Sequence, residues 1–297
     1  MPELPEVAAF GHLLAARLNG SLLATLELGS LSALKTVTPS LADLVGRQVV
    51  DVERRGKYLG LRLVDDQGVQ AWLVWHLARA GWLHWRAQLP STPLRPGKHP
   101  VALRAGFVNV DGEVIGGFDL TEAGSTKHLS VYAAWDLDEV PGIARLGIDP
   151  CSEGFTREAF EQICQAAGRT QVKGMLTDQT RIAGIGNAYS DEILHAARLS
   201  PFAPASGLTE EQRTFLYECI RRTLELANEA CLDREPGELK DAKRSHLAVH
   251  GRTAQPCRVC GDDIAEVAFA DRSLQYCPTC QTAGKPLADR RFSRLLK

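Results

Sequence analysis

Apolar positions change period along this chain. Val7, Phe10, Leu14 and Leu18 recur at helical steps, which predicts a helix within the first 20 residues, with Pro5 in its first turn and Asn19-Gly20 as its stop. From about residue 21 to 135 the spacing shortens to alternation and short apolar runs. Strands are predicted over 57–64, 71–76, 81–86, 101–110 and 129–135, with Asp66-Gln-Gly68 and Asp111-Gly112 as turns, the pattern of a β-sandwich or barrel. The segment from Asp136 to Cys151 holds Pro141, Gly142, Gly147 and Pro150 and reads as a linker. Helical spacing then returns over 157–167, 172–178, 189–197 and a long stretch, 210–230. No internal repeat or low-complexity tract interrupts these elements.

The 297 residues allow two domains and a small appendage, and 44% hydrophobic content supports a substantial core. A net charge of −2 argues against a general polyanion binder. The charge is uneven, however. From Pro236 to Lys297 there are 11 Lys/Arg against 7 Asp/Glu, a local +4, and the tail 289–297 is basic. That face suits nucleic acid or an ordinary solvated surface about equally. With no signal peptide, no run of 18 apolar residues and scattered Cys151, Cys164, Cys219 and Cys231, a cytosolic, reducing location is expected and no membrane contact.

Cys257-x2-Cys260-x16-Cys277-x2-Cys280 carries the most specific chemistry. Each Cys-x-x-Cys knuckle supplies two thiolates from one tight turn, and the residues between can run out and back as a hairpin. One structural Zn²⁺ closed by four sulfurs would fold a segment too small to fold alone. Two disulfides, or four unrelated thiols, are the alternatives.

Three further stretches invite a chemical reading. Trimming of Met1 would expose the secondary amine of Pro2, an α-amino group with an ordinary pKa of about 8. Glu3 lies beside it at the start of a helix, whose positive end disfavours the protonated amine. An amine nucleophile beside a carboxylate suits Schiff-base chemistry, although Pro-Glu is also an ordinary chain start. Gly184-Ile-Gly-Asn187 is an interhelical turn where a phosphate could dock, or where Asn187 is a plain N-cap. Arg54-Arg55-Gly56-Lys57 precedes a strand and could reach a phosphate or simply be solvated.

Their joint occurrence is decisive. Met1-Pro-Glu-Leu-Pro-Glu-Val7, Gly56-Lys57-Tyr58, Gly184-Ile-Gly-Asn187 with Asp191-Glu-Ile-Leu194, and Val249-His-Gly-Arg252 leading into the cysteines together resemble the formamidopyrimidine-DNA glycosylase/endonuclease VIII family over essentially the whole chain. The resemblance implies an α+β multidomain fold: an N-terminal β-sandwich with an N-terminal helix (1–135), a linker (136–152), a helix–two-turn–helix domain (153–245) and a zinc hairpin with basic tail (246–297). It implies a monomeric, cytoplasmic and nucleoid-associated bifunctional glycosylase/AP lyase of base excision repair, acting on damaged DNA, duplex or single-stranded. Pro2 would attack C1′ of the damaged nucleotide. Glu3 would move protons, and Glu6 would hold the N-terminal geometry. Lys57, Lys173, Asn187 and Arg272 would contact phosphates around the lesion. The alternatives are a damage-binding protein without catalysis and a zinc-ribbon adaptor.

Three departures bear on substrate. Where formamidopyrimidine glycosylases carry His-Leu-Gly-Met-Ser-Gly, this chain reads His76-Leu-Ala-Arg-Ala-Gly81, with Arg79 at the methionine that fills the gap left by a flipped base. The Arg-Phe pair expected between Thr121 and Leu129 gives way to Thr126, Lys127 and His128. The stretch from Leu239 to Val249 is short for a loop covering 8-oxoguanine. Weaker action on 8-oxoguanine is therefore expected than on oxidised pyrimidines or abasic sites.

Overall fold

The structure is a computed structural model that describes residues 1–97, 100–124, 126–269 and 272–288. The basic tail 289–297 lies outside the described residues. The chain divides into two compact units, Met1–Arg145 with Cys231–Lys240, and Leu146–Ala230 with Asp241–Lys297.

The first unit opens with α1 (Leu4–Leu18), which buries Val7, Phe10, Leu14 and Leu18 as the periodicity predicts. Eight antiparallel strands follow: β1 (Leu22–Leu28), β2 (Gln48–Arg55), β3 (Tyr58–Val64), β4 (Gln70–His76), β5 (Gly81–Arg86), β6 (Val101–Val108), β7 (Val114–Glu122) and β8 (Ser130–Ala134). They hydrogen-bond in the order β5-β7-β6-β1-β2-β3-β4-β8. Trp75 on β4 meets Phe118 on β7 at 5.2 Å between ring centroids, although four strands separate β4 from β7 in that order. The sheet therefore packs one half against the other as a β-sandwich. Helix α1 covers it, with Phe10 edge-on to Trp82 at 5.3 Å.

Strands β1, β2 and β7 go beyond the five predicted. Pattern hid β7 because Gly116, Gly117 and Asp119 are poor strand formers. Each has a tertiary reason. A Cβ on Gly117 would lie 2.1 Å from the Ala105 carbonyl oxygen, and one on Gly116 would lie 2.6 Å from that of Arg86. Asp119 is fully buried, with its carboxylate accepting from Arg104 Nε at 2.7 Å and Arg86 Nε at 2.6 Å. Burial opposes the charge on Asp119, but the two guanidiniums outweigh it and hold the carboxyl below its usual range.

The second unit is helical. It holds α2 (Arg157–Ala167), α3 (Val172–Thr177), α4 (Asn187–Ala196) and most of α5 (Glu210–Cys231), around a core that includes Phe155, Phe160, Tyr189, Leu194 and Ile220. Thr156 caps α2 by accepting from Ala159 N–H at 3.2 Å. Leu239 to Val249, read from the sequence as a short connection, is largely helix α6 (Leu239–His246). The hairpin β9 (Ala265–Ala268) and β10 (Ser273–Tyr276) and the short α7 (Pro278–Thr282) complete the chain. No helix of the described residues is long and apolar enough to cross a membrane.

Candidate active site and nucleic-acid interface

In the first unit, Pro2 is buried and Glu3 is the N-cap of α1, with 1% of its surface exposed. Glu6, fully buried at the third helical position, accepts the Glu3 N–H on Oε2 at 2.7 Å. This is half of a capping box, in which a carboxylate one turn into the helix holds the backbone just ahead of it. The Glu6 carboxylate thereby holds the Glu3 backbone at the start of α1.

A second group forms at one end of the sheet. Gly56, with φ 56°, and Lys57 make the two-residue turn between β2 and β3, because Arg55 pairs with Tyr58. Tyr58 pairs with His76, and His76 with Ser130, so Lys57, the end of β4 and the start of β8 share an edge. The Arg79 loop leaves from that edge. It is tied by Gly81 N–H to Leu77 O at 2.9 Å and by Ala123 N–H to Ala80 O at 3.3 Å, and Arg79 itself is exposed. Ala78 sits at φ 51°, a left-handed conformation that disfavours a side chain with Cβ. His76 Nδ1 accepts the Ala78 N–H at 3.3 Å, and its ring packs on Tyr58 at 4.7 Å. Burial, with the Lys57 charge adding to it, pushes the His76 pKa down to about 4. The ring is neutral near pH 7, as an acceptor must be. Sequence reading passed over His76, whose only signal was its place ahead of the Arg79 loop.

Arg54 and Arg55 have local duties. Arg54 donates to the Gly56 carbonyl at 3.1 Å, and Arg55 pairs with Glu53. Thr126, Lys127 and His128 are exposed, and the buried Glu122 carboxylate anchors their loop by accepting His128 N–H at 2.7 Å and Leu129 N–H at 3.0 Å.

In the second unit, α4 organises everything. The turn before it is stapled by Gln179, which accepts Gly184 N–H at 2.9 Å and donates to the Ile185 carbonyl at 2.7 Å. The N-cap is Gly186, so Asn187 is the first helical residue and the plain N-cap reading fails. Its amide instead donates to the Ser273 carbonyl at 2.7 Å. Arg272, exposed between β9 and β10, accepts Phe269 N–H on its carbonyl at 2.7 Å.

Lys173 has its partners within the second unit. Its ammonium donates to Asp191 Oδ1 at 2.6 Å, Ser190 Oγ at 2.7 Å and the Asn187 carbonyl at 3.1 Å. An ammonium has three protons, and all three are matched inside the protein. Lys173 thus bonds the main chain of Asn187 and the side chains of Ser190 and Asp191.

Asp191 and Glu192, quoted only as part of a motif, prove to be hubs. Asp191 Oδ2 meets His250 Nδ1 at 2.8 Å and accepts Gln275 N–H at 3.2 Å. Glu192 accepts the N–H groups of Ala248, Val249 and His250 at 2.6, 3.0 and 2.8 Å. Burial raises the Glu192 pKa, and those three donors only partly offset it. Arg252 closes the same loop by donating to the carbonyls of Ala248 at 2.7 Å and Pro256 at 3.1 Å.

Cys257, Cys260, Cys277 and Cys280 place their sulfurs within 4.8 Å of one another. Cys257 and Cys280 are 3.9 Å apart, and Cys260 and Cys277 are 3.4 Å apart, far beyond a disulfide bond of about 2.05 Å. Four Zn–S bonds of about 2.3 Å in a tetrahedron need sulfurs about 3.8 Å apart. The cluster fits one structural Zn²⁺ and excludes the disulfide alternative. The knuckle N–H of Val259 donates to Cys257 Sγ at 3.4 Å, and His195 Nε2 lies 3.3 Å from the same sulfur.

Comparison with known proteins agrees with this layout. Three family models match: formamidopyrimidine-DNA glycosylase N-terminal domain over residues 1–115, formamidopyrimidine-DNA glycosylase H2TH domain over 146–232, and the zinc finger found in FPG and IleRS over 254–283. An uncharacterized formamidopyrimidine-DNA glycosylase-like protein of Mycobacterium tuberculosis is 58% identical over 132 residues, 44% of this chain and 84% of that one. The formamidopyrimidine-DNA glycosylase of Heliobacterium modesticaldum is 34% identical over 95% of this chain and 100% of its own. Among solved structures, wild-type Lactococcus lactis Fpg (MutM) in complex with DNA containing an oxidized pyrimidine superposes with a TM-score of 0.78, at 26% identity, over 95% of this chain and 100% of that one.

Proposed function

The chain belongs to the formamidopyrimidine-DNA glycosylase family, DNA glycosylases of base excision repair, and we propose that it excises its base through a Schiff base on Pro2 and then nicks the strand as an AP lyase. The observation that carries this reading is the N-terminus of α1, where buried Glu3 and Pro2 are held by the carboxylate of Glu6. Once Met1 is removed, the Pro2 nitrogen is an amine with a free electron pair. That pair forms the bond to C1′ of the damaged nucleotide as the glycosidic bond breaks, and the base leaves with the glycosidic electrons and takes up the proton shed by the Pro2 nitrogen. Glu3 passes a proton to the sugar oxygen as the ring opens, giving an iminium. Loss of a C2′ proton from the iminium then forms a C2′–C3′ double bond and expels the 3′ phosphate with the C3′–O electrons.

Damaged DNA is the partner, since the Lactococcus lactis relative is solved on such DNA. Lys57 in one unit, and Asn187 and Arg272 in the other, are the phosphate contacts in this reading, with Lys173 bracing Asn187. The exposed Arg79 takes the place of a gap-filling methionine, and α6 occupies most of the stretch that is short for a loop over 8-oxoguanine. Both features support a preference for oxidised pyrimidines or abasic sites.

Borohydride trapping tests the chemistry. Protein shown by mass to lack Met1 is incubated with abasic-site DNA, and hydride delivery to the iminium leaves a covalent adduct. No adduct from trimmed protein would reject the mechanism and favour a damage-binding protein without catalysis. Excision of 8-oxoguanine opposite cytosine as fast as that of an oxidised pyrimidine would reject the preference alone.

A further inference from the structure

Asn187, Asp191 and His195 follow one another at four-residue steps, so they lie along one face of α4. Each ends on the C-terminal zinc-hairpin segment: on the Ser273 carbonyl at 2.7 Å, on Gln275 N–H at 3.2 Å, and on Cys257 Sγ at 3.3 Å. The first two belong to the machinery already described. The third does not, and neither base excision nor strand nicking uses it. His195 is 6% exposed and Cys257 is 4% exposed, so water does not compete for the contact.

We propose that His195 is a positioning residue of the zinc centre, donating its Nε2–H to the Cys257 thiolate. The direction of the bond follows from the chemistry of the cluster. A cysteine bound to Zn²⁺ has lost its proton, so only the imidazole can supply one. Four thiolates around one Zn²⁺ leave a net charge of −2 in a partly buried site. Each N–H aimed at a sulfur spreads that charge without breaking a metal–sulfur bond. The Val259 N–H already does this from the knuckle backbone, as any residue there could. His195 adds a side-chain donor from a different element, and so it depends on residue type. Removal of such outer-sphere partners at metal sites typically costs about 10–100-fold in metal affinity. The inference concerns the metal site alone and stands apart from the Pro2 chemistry.

Zinc-loaded wild-type protein, His195→Gln and His195→Phe supply the test, with folding checked by far-UV circular dichroism. Zinc release to excess chelator is followed with a chromogenic metal indicator, and the cobalt-loaded forms report the sulfur-to-cobalt charge-transfer band. His195→Phe is expected to release zinc about tenfold faster and to shift that band to lower energy. His195→Gln keeps a side-chain N–H and is expected to stay near wild type in both. Wild-type release by His195→Phe, or equal acceleration in both variants, would overturn the proposal, the second by showing that only packing matters. Should His195→Phe not fold, His195→Ala with added imidazole gives the same reading: imidazole slows zinc release if the donor matters and leaves it unchanged if not.

Discussion

The side-chain amide of Asn187 donates to the main-chain carbonyl of Ser273 at 2.7 Å, so the turn that opens α4 is bonded to the residue directly after Arg272. Two phosphate contacts of the proposed interface are therefore fixed to each other before any DNA arrives. Lys173 stands behind them, bonding the Asn187 carbonyl and the buried Asp191 carboxylate that also holds Gln275. Pre-organisation of this kind lowers the ordering cost of binding.

Lys173→Met should therefore act on stability. It leaves the Asp191 carboxylate, fully buried, without its ammonium partner, a change that costs about 3–5 kcal/mol when a buried pair is broken. The expected result is a clear drop in melting temperature, with the slope of log binding constant against log salt unchanged. A slope reduced by about one, with stability intact, would return Lys173 to the phosphate contacts.

Arg272→Ala should give the opposite pattern. Arg272 is exposed between β9 and β10, so its removal should leave the unfolding free energy within about 0.5 kcal/mol of wild type. Affinity should fall for all lesions about equally, and the salt slope by about one, if it neutralises one phosphate. A change confined to one lesion type would assign Arg272 to base recognition.

How far the sequence could be read depended on whether a residue's partner was local. Helix α1, most strands and the zinc knuckles were legible because period and short spacing encode them. The bonds of Lys173 were not legible because its three partners come from α4, at least 14 residues away. His195 and Cys257 are 62 residues apart, and Asp191 and Gln275 are 84 apart, so no spacing rule connects them. The extra strand β7 was hidden for the same reason, since its glycines and its aspartate make sense only against β6 and β5.

Acid should loosen the first unit through His76. Its pKa falls from 6.5 unfolded to about 4 folded, so between those values the unfolded chain binds the proton and the folded one does not. Stability is full above about pH 6.5 and is lost as pH falls toward 4, by up to about 3 kcal/mol for this group. Below that, a protonated Nδ1 cannot accept the Ala78 N–H, and the Arg79 loop loses a tie. Urea unfolding at pH 7.5 and 4.5 checks this, because His76→Gln should show a smaller stability difference between the two. An equal difference in both proteins would remove His76 from the account.

Glu6→Ala should separate catalysis from binding. Glu6 accepts the Glu3 N–H at 2.7 Å inside the protein and touches no phosphate in the proposed interface. Its loss leaves that N–H without its carboxylate and removes half of the capping box, at a cost of about 1–2 kcal/mol. The Pro2-Glu3 backbone can then move, and a nucleophile displaced by about 1 Å can lose about 100-fold in rate. Borohydride trapping at saturating abasic DNA should slow markedly while the dissociation constant stays within about threefold. Glu6→Gln should fall between Ala and wild type, because its amide oxygen can still accept the Glu3 N–H but carries no charge. If trapping by Glu6→Ala matched wild type, the geometry of the N-terminus would have to come from elsewhere in the first unit.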